Sequence, residues 1–191
     1  MIWLVILVVL VFYLWSVYNK FVTLKTRIKA SIQEIGNQLK RQADLIPNLI
    51  DSVKGYLKHE KEIFKSLTDA RKAIMEATSQ NDLGKMTEAS DMLQKTMGAF
   101  RALVESTPQI RGVESVNKLM DELRDTADKI MYSRRTLIDL TADYNIMVVT
   151  FPSNIVASVF KFTQEKGLDT PVEGEHLEVS AEETKTPKVE L

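Results

Sequence analysis

The residues of this chain that could carry out acid–base or metal chemistry are few and widely separated. The only histidines are His59 and His176, and there is no cysteine. A di-iron carboxylate centre in a helical bundle needs paired Glu-x-x-His motifs and further inward-facing glutamates. One such motif runs from Glu173 to His176, but it lies in an acidic, proline-interrupted segment. His59 is expected on a solvated helix face. We therefore expect no metal and no cofactor.

Nucleophilic catalysis and nucleotide binding also lack their usual motifs. There is no Gly-x-Ser-x-Gly turn, and the glycines are isolated, so no glycine-rich loop could hold a phosphate. The 25 basic and 26 acidic side chains leave no strongly basic balance for nucleic acid. The sequence predicts that the protein is not an enzyme and binds no nucleic acid, and it identifies no small-molecule substrate.

The elements that would position a functional surface begin with an uncharged run, MIWLVILVVLVFYLWSVY, over residues 1–18. As a helix it would be about 27 Å long, close to the hydrocarbon thickness of about 30 Å. It lacks the basic start and the small-residue cleavage site of a signal peptide. We predict a transmembrane anchor. Its interfacial aromatic residues would be Trp3 at one end and Tyr13, Trp15 and Tyr18 at the other.

The residues after this run predict its orientation. Lys20, Lys25, Arg27 and Lys29 all precede the first acidic residue, Glu34. Basic residues beside a span stay in the cytoplasm, so we expect the N-terminus outside and the remainder inside. The opposite topology, with an exported domain, is the alternative. The four cations could also bind anionic lipid, or they could determine topology alone.

Beyond the anchor, apolar residues recur at steps of three or four, which predicts amphipathic helices. The pattern runs from Phe21 to Ile46 and resumes after Pro47 as far as Ile74. Pro47 is expected to kink this helix or to break it. We favour a kink, because the apolar phase persists. A kinked rod from Tyr18 to Thr78 would leave part of its stripe exposed and favour self-association, whereas a break would allow a monomeric four-helix bundle.

Polar and proline-containing turns separate the later helices. Residues 78–82 contain turn formers and a possible N-cap, and Thr107, Pro108 and Gly112 mark the next connection. Short connections between amphipathic helices predict antiparallel neighbours. The predicted fold is all-α: a transmembrane helix over residues 1–18, an antiparallel up-and-down helical bundle with coiled-coil-like packing over 19–162, and a tail over 163–191.

Two segments near the C-terminal end could carry function. Residues 151–162 read FPSNIVASVFKF, an apolar stretch too short to span a bilayer. It could cap the bundle, bind a partner subunit or lie at the lipid surface, through Phe151, Ile155, Val156, Val159, Phe160 and Phe162. Residues 163–191 are acidic and poor in apolar side chains, which predicts disorder. That tail could be solubilising or could dock a partner.

Three segments of the chain resemble the LemA family of bacterial membrane proteins. They are Tyr18-Asn19 directly after the anchor, QLKRQADLIPNLIDSVKGYLKHE over residues 38–60, and Tyr144-Asn145 together with FPSNIVA over 151–157. The resemblance implies an up-and-down helical bundle and a bacterial inner (cytoplasmic) membrane location, and it implies no particular biochemical activity. The chain departs from the family at Thr136 and Leu137, where members tend to carry tyrosine and asparagine after an arginine pair.

The predicted function is a membrane-anchored, non-enzymatic helical scaffold that self-associates or recruits partners at the cytoplasmic membrane face. The expected partners are the lipid bilayer and further copies or other membrane proteins. The alternative is a lipid- or ion-responsive sensor or regulatory subunit at the membrane surface. A hydrolytic or metal enzyme is the least expected, because the catalytic constellations are missing.

Overall fold

A computed structural model describes residues 1–57 and 60–168, and this part of the chain is helical without any strand. The all-α prediction is therefore confirmed. The described helices are α1 (Ile2–Val53), α2 (Lys61–Gln80), α3 (Leu83–Ser106), α4 (Pro108–Arg111), α5 (Glu114–Val149) and α6 (Ser153–Phe160).

Helices α1 and α5 form the long antiparallel pair around which the bundle is built. Phe21 lies against Tyr144 with ring centroids 5.6 Å apart, and Gln42 reaches the carbonyl of Leu123. From the first contact to the second, the α1 residue lies twenty-one positions later in the sequence and the α5 residue twenty-one positions earlier, as an antiparallel pair requires. The α2–α3 hairpin packs on the part of α1 farther from the apolar run. The described helices thus form the predicted up-and-down bundle.

Helix α1 continues through Pro47 and ends at Val53. The preference for a helix that is not broken at Pro47 agrees with this, but the predicted rod to Thr78 is wrong. The chain leaves the helix at residues 54–57, a turn that contains Gly55, and returns as α2. The apolar face of α1 is therefore covered within one chain, and Ile46, Leu49 and Val53 are fully buried. The sequence predicted an exposed apolar stripe on this helix as a reason for self-association, and the structure does not show such a stripe on α1 beyond the apolar run.

Polar side chains close the ends of the helices where the sequence predicted turns. Asn81 adopts the left-handed conformation after α2, with φ of 51°. The Asp82 carboxylate accepts a hydrogen bond from the backbone N–H of Lys85 at 3.1 Å and caps α3. This bond satisfies one of the free N–H groups at the start of a helix. The α2–α3 hairpin is thus fixed by the predicted polar cluster.

Long polar side chains bridge the helices by donating to backbone carbonyls. Gln42 Nε2 of α1 donates to the Leu123 carbonyl of α5 at 3.2 Å. Arg134 of α5 donates to the Thr87 carbonyl and to the Asp91 carboxylate of α3, each at 3.2 Å. Because such bonds join helices that are far apart in sequence, they fix the register in which the apolar faces meet.

The first residues of the predicted disordered tail are ordered against the bundle. Residues 163–168 form neither helix nor strand, and Leu168 packs on the core while Gly167 lies beside Thr141. Within residues 163–168, Glu165 is hydrogen-bonded to Asn145 and paired with Lys25. The rest of the predicted tail, with Glu173 and His176, lies outside the described residues, as does His59.

Candidate functional site

The apolar run forms the first part of α1, and most of it is uncovered by the rest of the protein. It lies within the one helix of the described residues that is long and apolar enough to cross a membrane, and no residue of its most apolar window is buried. Trp3 and Trp15 are exposed, and Tyr13 and Tyr18 each expose just over a third of their surface. Trp3, Tyr13 and Trp15 therefore lie on the part of α1 that the bundle leaves uncovered, whereas Tyr18 lies where the bundle begins.

An aromatic cluster forms where α1 leaves this run. The Tyr18 ring lies 4.8 Å from Phe160 and 5.7 Å from Phe162, measured between centroids. Phe162 stacks on Phe21 at 4.7 Å, and Phe21 meets the edge of Tyr144. The cluster joins α1, α5 and the residues after α6. It fixes α6 beside the end of the apolar run.

The structure divides the six apolar residues predicted near the C-terminal end into two groups. Val156 is buried and Phe162 is partly buried, and both pack on the core. The four others remain exposed by about half to three quarters of their surface: Phe151 75%, Ile155 53%, Val159 69% and Phe160 49%. One side of this segment therefore caps the bundle, and the other side is left uncovered.

The four predicted cations follow the same part of α1, and one of them is paired. Lys25 Nζ lies 2.7 Å from a carboxylate oxygen of Glu165. The hydrogen bond that Lys25 donates to the Glu165 carboxylate raises the pKa of Lys25 above its ordinary value, against a smaller effect of burial. Lys20, Arg27 and Lys29 have exposed side chains. The basic stretch is thus connected to the chain beyond α6.

Asn145 provides a second attachment for this segment. Its side-chain amide donates to the Glu165 carbonyl at 2.9 Å, and its side-chain oxygen accepts from the Glu165 backbone N–H at 2.9 Å. Sequence reasoning assigned no role to Asn145, although it belongs to the Tyr-Asn pair that carries the family resemblance. The neighbouring Tyr144 is fully buried, and burial raises the pKa of its hydroxyl.

A ligand site in the described residues could be a metal-binding cluster or a groove between the helices. Residues 1–57 and 60–168 contain no group of three or more histidine, aspartate or glutamate side chains placed to hold a metal ion. A shallow groove of about 530 Å³ lies between α1, α2 and α3. Uncharged side chains form most of its lining: Gln33, Gly36, Asn37, Met75, Thr78, Ser79, Asn81 and Met86, with Lys40. We find no acid–base pair in it.

Comparison with known proteins gives a family and a set of distant relatives. The model of the LemA family matches residues 31–190. The chain is 24% identical over 184 residues to magnetosome protein MamQ of Magnetospirillum gryphiswaldense, which covers 81% of this chain and 68% of that protein. Magnetosome protein MamQ 2 of Paramagnetospirillum magneticum matches with the same identity and coverage. The match extends over most of the chain and agrees with its apolar first helix, so this membrane-associated protein belongs to the LemA family.

Proposed function

We propose that this protein is a non-enzymatic scaffold, anchored in the membrane, that self-associates and presents its bundle at the cytoplasmic face. The observation that carries the proposal is the continuity of α1. This one helix, Ile2–Val53, contains both the apolar run and the central apolar face of the bundle. Because no flexible linker separates the two parts, the bundle keeps a fixed orientation to the membrane. Such coupling suits a protein that positions other proteins.

A stripe on α5 supplies the surface for self-association. Met131, Ile138, Ala142 and Ile146 fall on one side of the helix at steps of seven and four residues, and all four are exposed. Met131 exposes 64% of its surface and Ile146 57%, although they lie on a charged helix. We call these four residues the α5 stripe. An uncovered apolar row of this kind is typical of a contact between proteins.

Membrane anchoring favours a second copy of this chain as the occupant of the α5 stripe. Two chains in one bilayer share their orientation, so their α5 stripes lie at the same height. Confinement to the membrane also raises the effective concentration of one copy for another. A two-fold contact brings the same surface of both copies together, and the small side chain of Ala142 would allow the helices to approach closely.

Site-directed crosslinking tests this contact, because the natural chain contains no cysteine. We expect Ala142→Cys to form a disulfide-linked dimer in native membranes under mild oxidation. Thr26→Cys is the matched control, since Thr26 is also small and exposed but lies on α1, on the helix face opposite the buried Leu24 and Ile28. Equal crosslinking at the two positions would contradict self-association through the α5 stripe.

A charge in the α5 stripe provides a second test. Ile138 exposes 43% of its surface, so Ile138→Glu should leave the fold intact while shifting the protein from dimer to monomer in native mass measurements. Thr26→Glu adds the same charge elsewhere and should leave the mass unchanged. A wild-type chain that is monomeric at every concentration in mild detergent and in membranes would remove this proposal.

The cytoplasmic orientation of the bundle is part of the proposal and rests on the cations after the apolar run. Lys72 is exposed on α2, far from the span along the chain. A membrane-impermeant maleimide should label Lys72→Cys only after the cells are made permeable. Labelling in intact cells would place the bundle outside and would leave the self-association proposal standing.

A second candidate function, response to anionic lipid, is favoured by the pairing of Lys25 with Glu165. Headgroup phosphates near the membrane attract such cations, and they would compete with the Glu165 carboxylate. Amide hydrogen exchange at residues 163–168 should then be faster in anionic than in zwitterionic bilayers. Equal exchange in the two lipids would argue against this sensing role.

A further inference from the structure

The outer face of α6 is apolar, although the helix already buries an apolar inner face. Val156 and Ala157 expose only 1% and 2% of their surface. On the other side Ile155, Val159 and Phe160 are exposed, and Phe151 precedes them. We call these four exposed residues the α6 foot. The helix itself reads SNIVASVF and contains no charged residue. A helix on a water-exposed surface would carry polar side chains on that face.

The position of α6 along α1 indicates what covers the foot. Phe160 contacts Tyr18, the last residue of the apolar run and two residues before the first cation, Lys20. Leu14 and Val17, in the preceding turns, are partly buried and pack against the same core, to which α6 contributes. Helix α6 therefore lies beside the end of the apolar run, just before the first cation of α1.

We propose that the α6 foot is embedded in the lipid leaflet from which α1 emerges, at the boundary between headgroups and acyl chains. Phe160 of the foot contacts Tyr18 at the end of the apolar run, so one lipid phase would cover both surfaces. Amphipathic helices that lie in this boundary bury their apolar face by several ångströms. Lys161, directly after α6, has an exposed side chain that could meet the headgroups.

This lipid contact goes beyond the proposed scaffold function and does not depend on self-association. It gives the bundle a second attachment to the bilayer beside the span. Two attachments oppose tilting of the bundle relative to the membrane, because α6 lies off the α1 axis and tilting would change its depth in the leaflet. The foot would also expand one leaflet locally by the volume of its four side chains.

Environment-sensitive fluorescence in nanodiscs tests the contact on the full chain. Single-cysteine variants Ile155→Cys and Val159→Cys would carry an NBD label in discs of phosphatidylethanolamine and phosphatidylglycerol, with one protein per disc. We expect a blue shift and a several-fold higher emission than at Met92→Cys. Met92 is the matched control, because its exposed fraction of 48% is close to the 53% of Ile155 while it lies on α3 in the distal bundle.

Spin-labelled lipids separate lipid contact from other kinds of burial. A quencher near the headgroup should quench NBD at Ile155→Cys and Val159→Cys more strongly than a quencher at the end of the acyl chain, and neither should quench it at Met92→Cys. Emission at the α6 positions as low as at the Met92 position would overturn the proposal. So would high emission without lipid quenching, since it would indicate protein around the foot.

Correct folding of the labelled variants can be measured on the same samples. Slow amide exchange in α5 should match that of the unlabelled chain. A further variant, Ile155→Lys with Val159→Lys, should return a label at Phe151→Cys to water-like emission while α5 exchange is preserved. Unchanged emission at that position would also contradict the lipid-embedded foot. Because each disc holds one chain, failure of self-association cannot imitate any of these results.

Discussion

The side chain of Arg71 in α2 completes the hydrogen bonding of Ala43 in α1. Its Nε donates to the Ala43 carbonyl at 3.1 Å. In an uninterrupted helix this carbonyl would accept from the N–H four residues later, but that residue is Pro47, which has no N–H. Ala43 is fully buried, so the carbonyl has no ready access to water. The contact lets α1 pass through a proline and also binds α2 to α1.

We predict that the stabilising effect of Arg71 depends on Pro47. Arg71→Met should lower the free energy of unfolding by about 1–2 kcal/mol, because it leaves a buried acceptor unsatisfied. In a Pro47→Ala background the new N–H can reach the Ala43 carbonyl, and the cost of Arg71→Met should fall by about 1 kcal/mol. Urea unfolding of the four chains in detergent, followed by circular dichroism, gives this coupling energy.

Lys72→Met is the control for that cycle. Lys72 is the next residue of α2 and its side chain is exposed, so its replacement should have little effect in either background. Equal costs of Arg71→Met with and without Pro47 would contradict the assigned role of the hydrogen bond.

Asn145 should hold residues 163–168 against the bundle. Asn145→Ala removes both of its hydrogen bonds to Glu165, each worth about 1 kcal/mol in a partly buried setting. We expect much faster amide exchange at Glu165 and earlier proteolysis after α6. The control is Asn117→Ala on the exposed part of α5, where one bond of 3.3 Å to the Arg111 carbonyl is lost. If Asn117→Ala loosens Glu165 equally, the effect is not specific.

The sequence predicts the helices and their polar turns well, because apolar spacing and capping are local properties. It predicts the end of α1 poorly. The apolar phase continues across the turn at residues 54–57, so only Gly55 signals the reversal, and a proline appeared the stronger breaking signal. The partner of the Ala43 carbonyl could not be predicted either. Proline indicates which acceptor is left free, but the donor comes from a different helix through tertiary packing.

The buried and exposed faces of the α6 segment could not be predicted from the sequence either, because they also depend on tertiary packing. Composition indicated an apolar stretch after Pro152 with three possible environments. Which side chains turn inward depends on how α6 packs beside Tyr18 and Phe21. That packing separates the buried Val156 from the exposed Val159, and no periodicity over eight residues could assign the two faces. The α5 stripe was missed because its residues alternate with charged ones along the helix.

Replacing Tyr144 by phenylalanine should not destabilise the bundle. The Tyr144 hydroxyl is buried, and among the described residues it has no hydrogen-bond partner. Removing an unsatisfied buried hydroxyl costs nothing in hydrogen bonding, so Tyr144→Phe should be neutral or stabilising by about 1 kcal/mol. Tyr144→Ala should cost about 3–5 kcal/mol, since it empties the space beside Phe21. Similar losses for the two variants, measured by urea unfolding, would disprove this account.

The same hydroxyl predicts a stability loss in alkaline solution. Burial raises the pKa of Tyr144 above its ordinary value of 10.0. The folded state therefore retains the hydroxyl proton to a higher pH than the unfolded state. The contribution of this hydroxyl to the unfolding free energy is complete below the unfolded pKa and is lost as the pH rises through the folded pKa. The difference in unfolding free energy between wild type and Tyr144→Phe should change above pH 10 only, in favour of the variant.

Lys25 acts in the same alkaline range but with a smaller effect. The hydrogen bond that Lys25 donates to Glu165 raises its pKa above 10.5, so the pair is intact at neutral pH and is lost as the pH rises through the folded pKa. More than half of the Lys25 side chain is exposed, so solvent screens the pair, and Glu165→Gln should cost at most a few tenths of a kcal/mol at physiological salt. Hydrogen exchange at residues 163–168 should therefore respond much less to Glu165→Gln than to Asn145→Ala. The opposite order would mean that charge, and not the paired amide bonds, holds this segment.

Substitutions at two glycines inside helices allow the effect of helix propensity on stability to be separated from the effect of packing between helices. A Cβ added at Gly98 of α3 meets nothing within 4 Å, so Gly98→Ala should stabilise the bundle by the helix-propensity difference of about 1 kcal/mol.

At Gly36 of α1 the added Cβ would lie 3.5 Å from Met86 Cε, an ordinary contact between two helices. Gly36→Ala should therefore stabilise by a similar amount, while Gly36→Leu should force α3 away and cost about 1–3 kcal/mol. Chemical unfolding of the three variants checks this, and Gly98→Leu is the matched control, because Gly98 has the space that Gly36 lacks. If leucine is tolerated equally at both positions, α1 and α3 do not approach each other as closely as the structure describes.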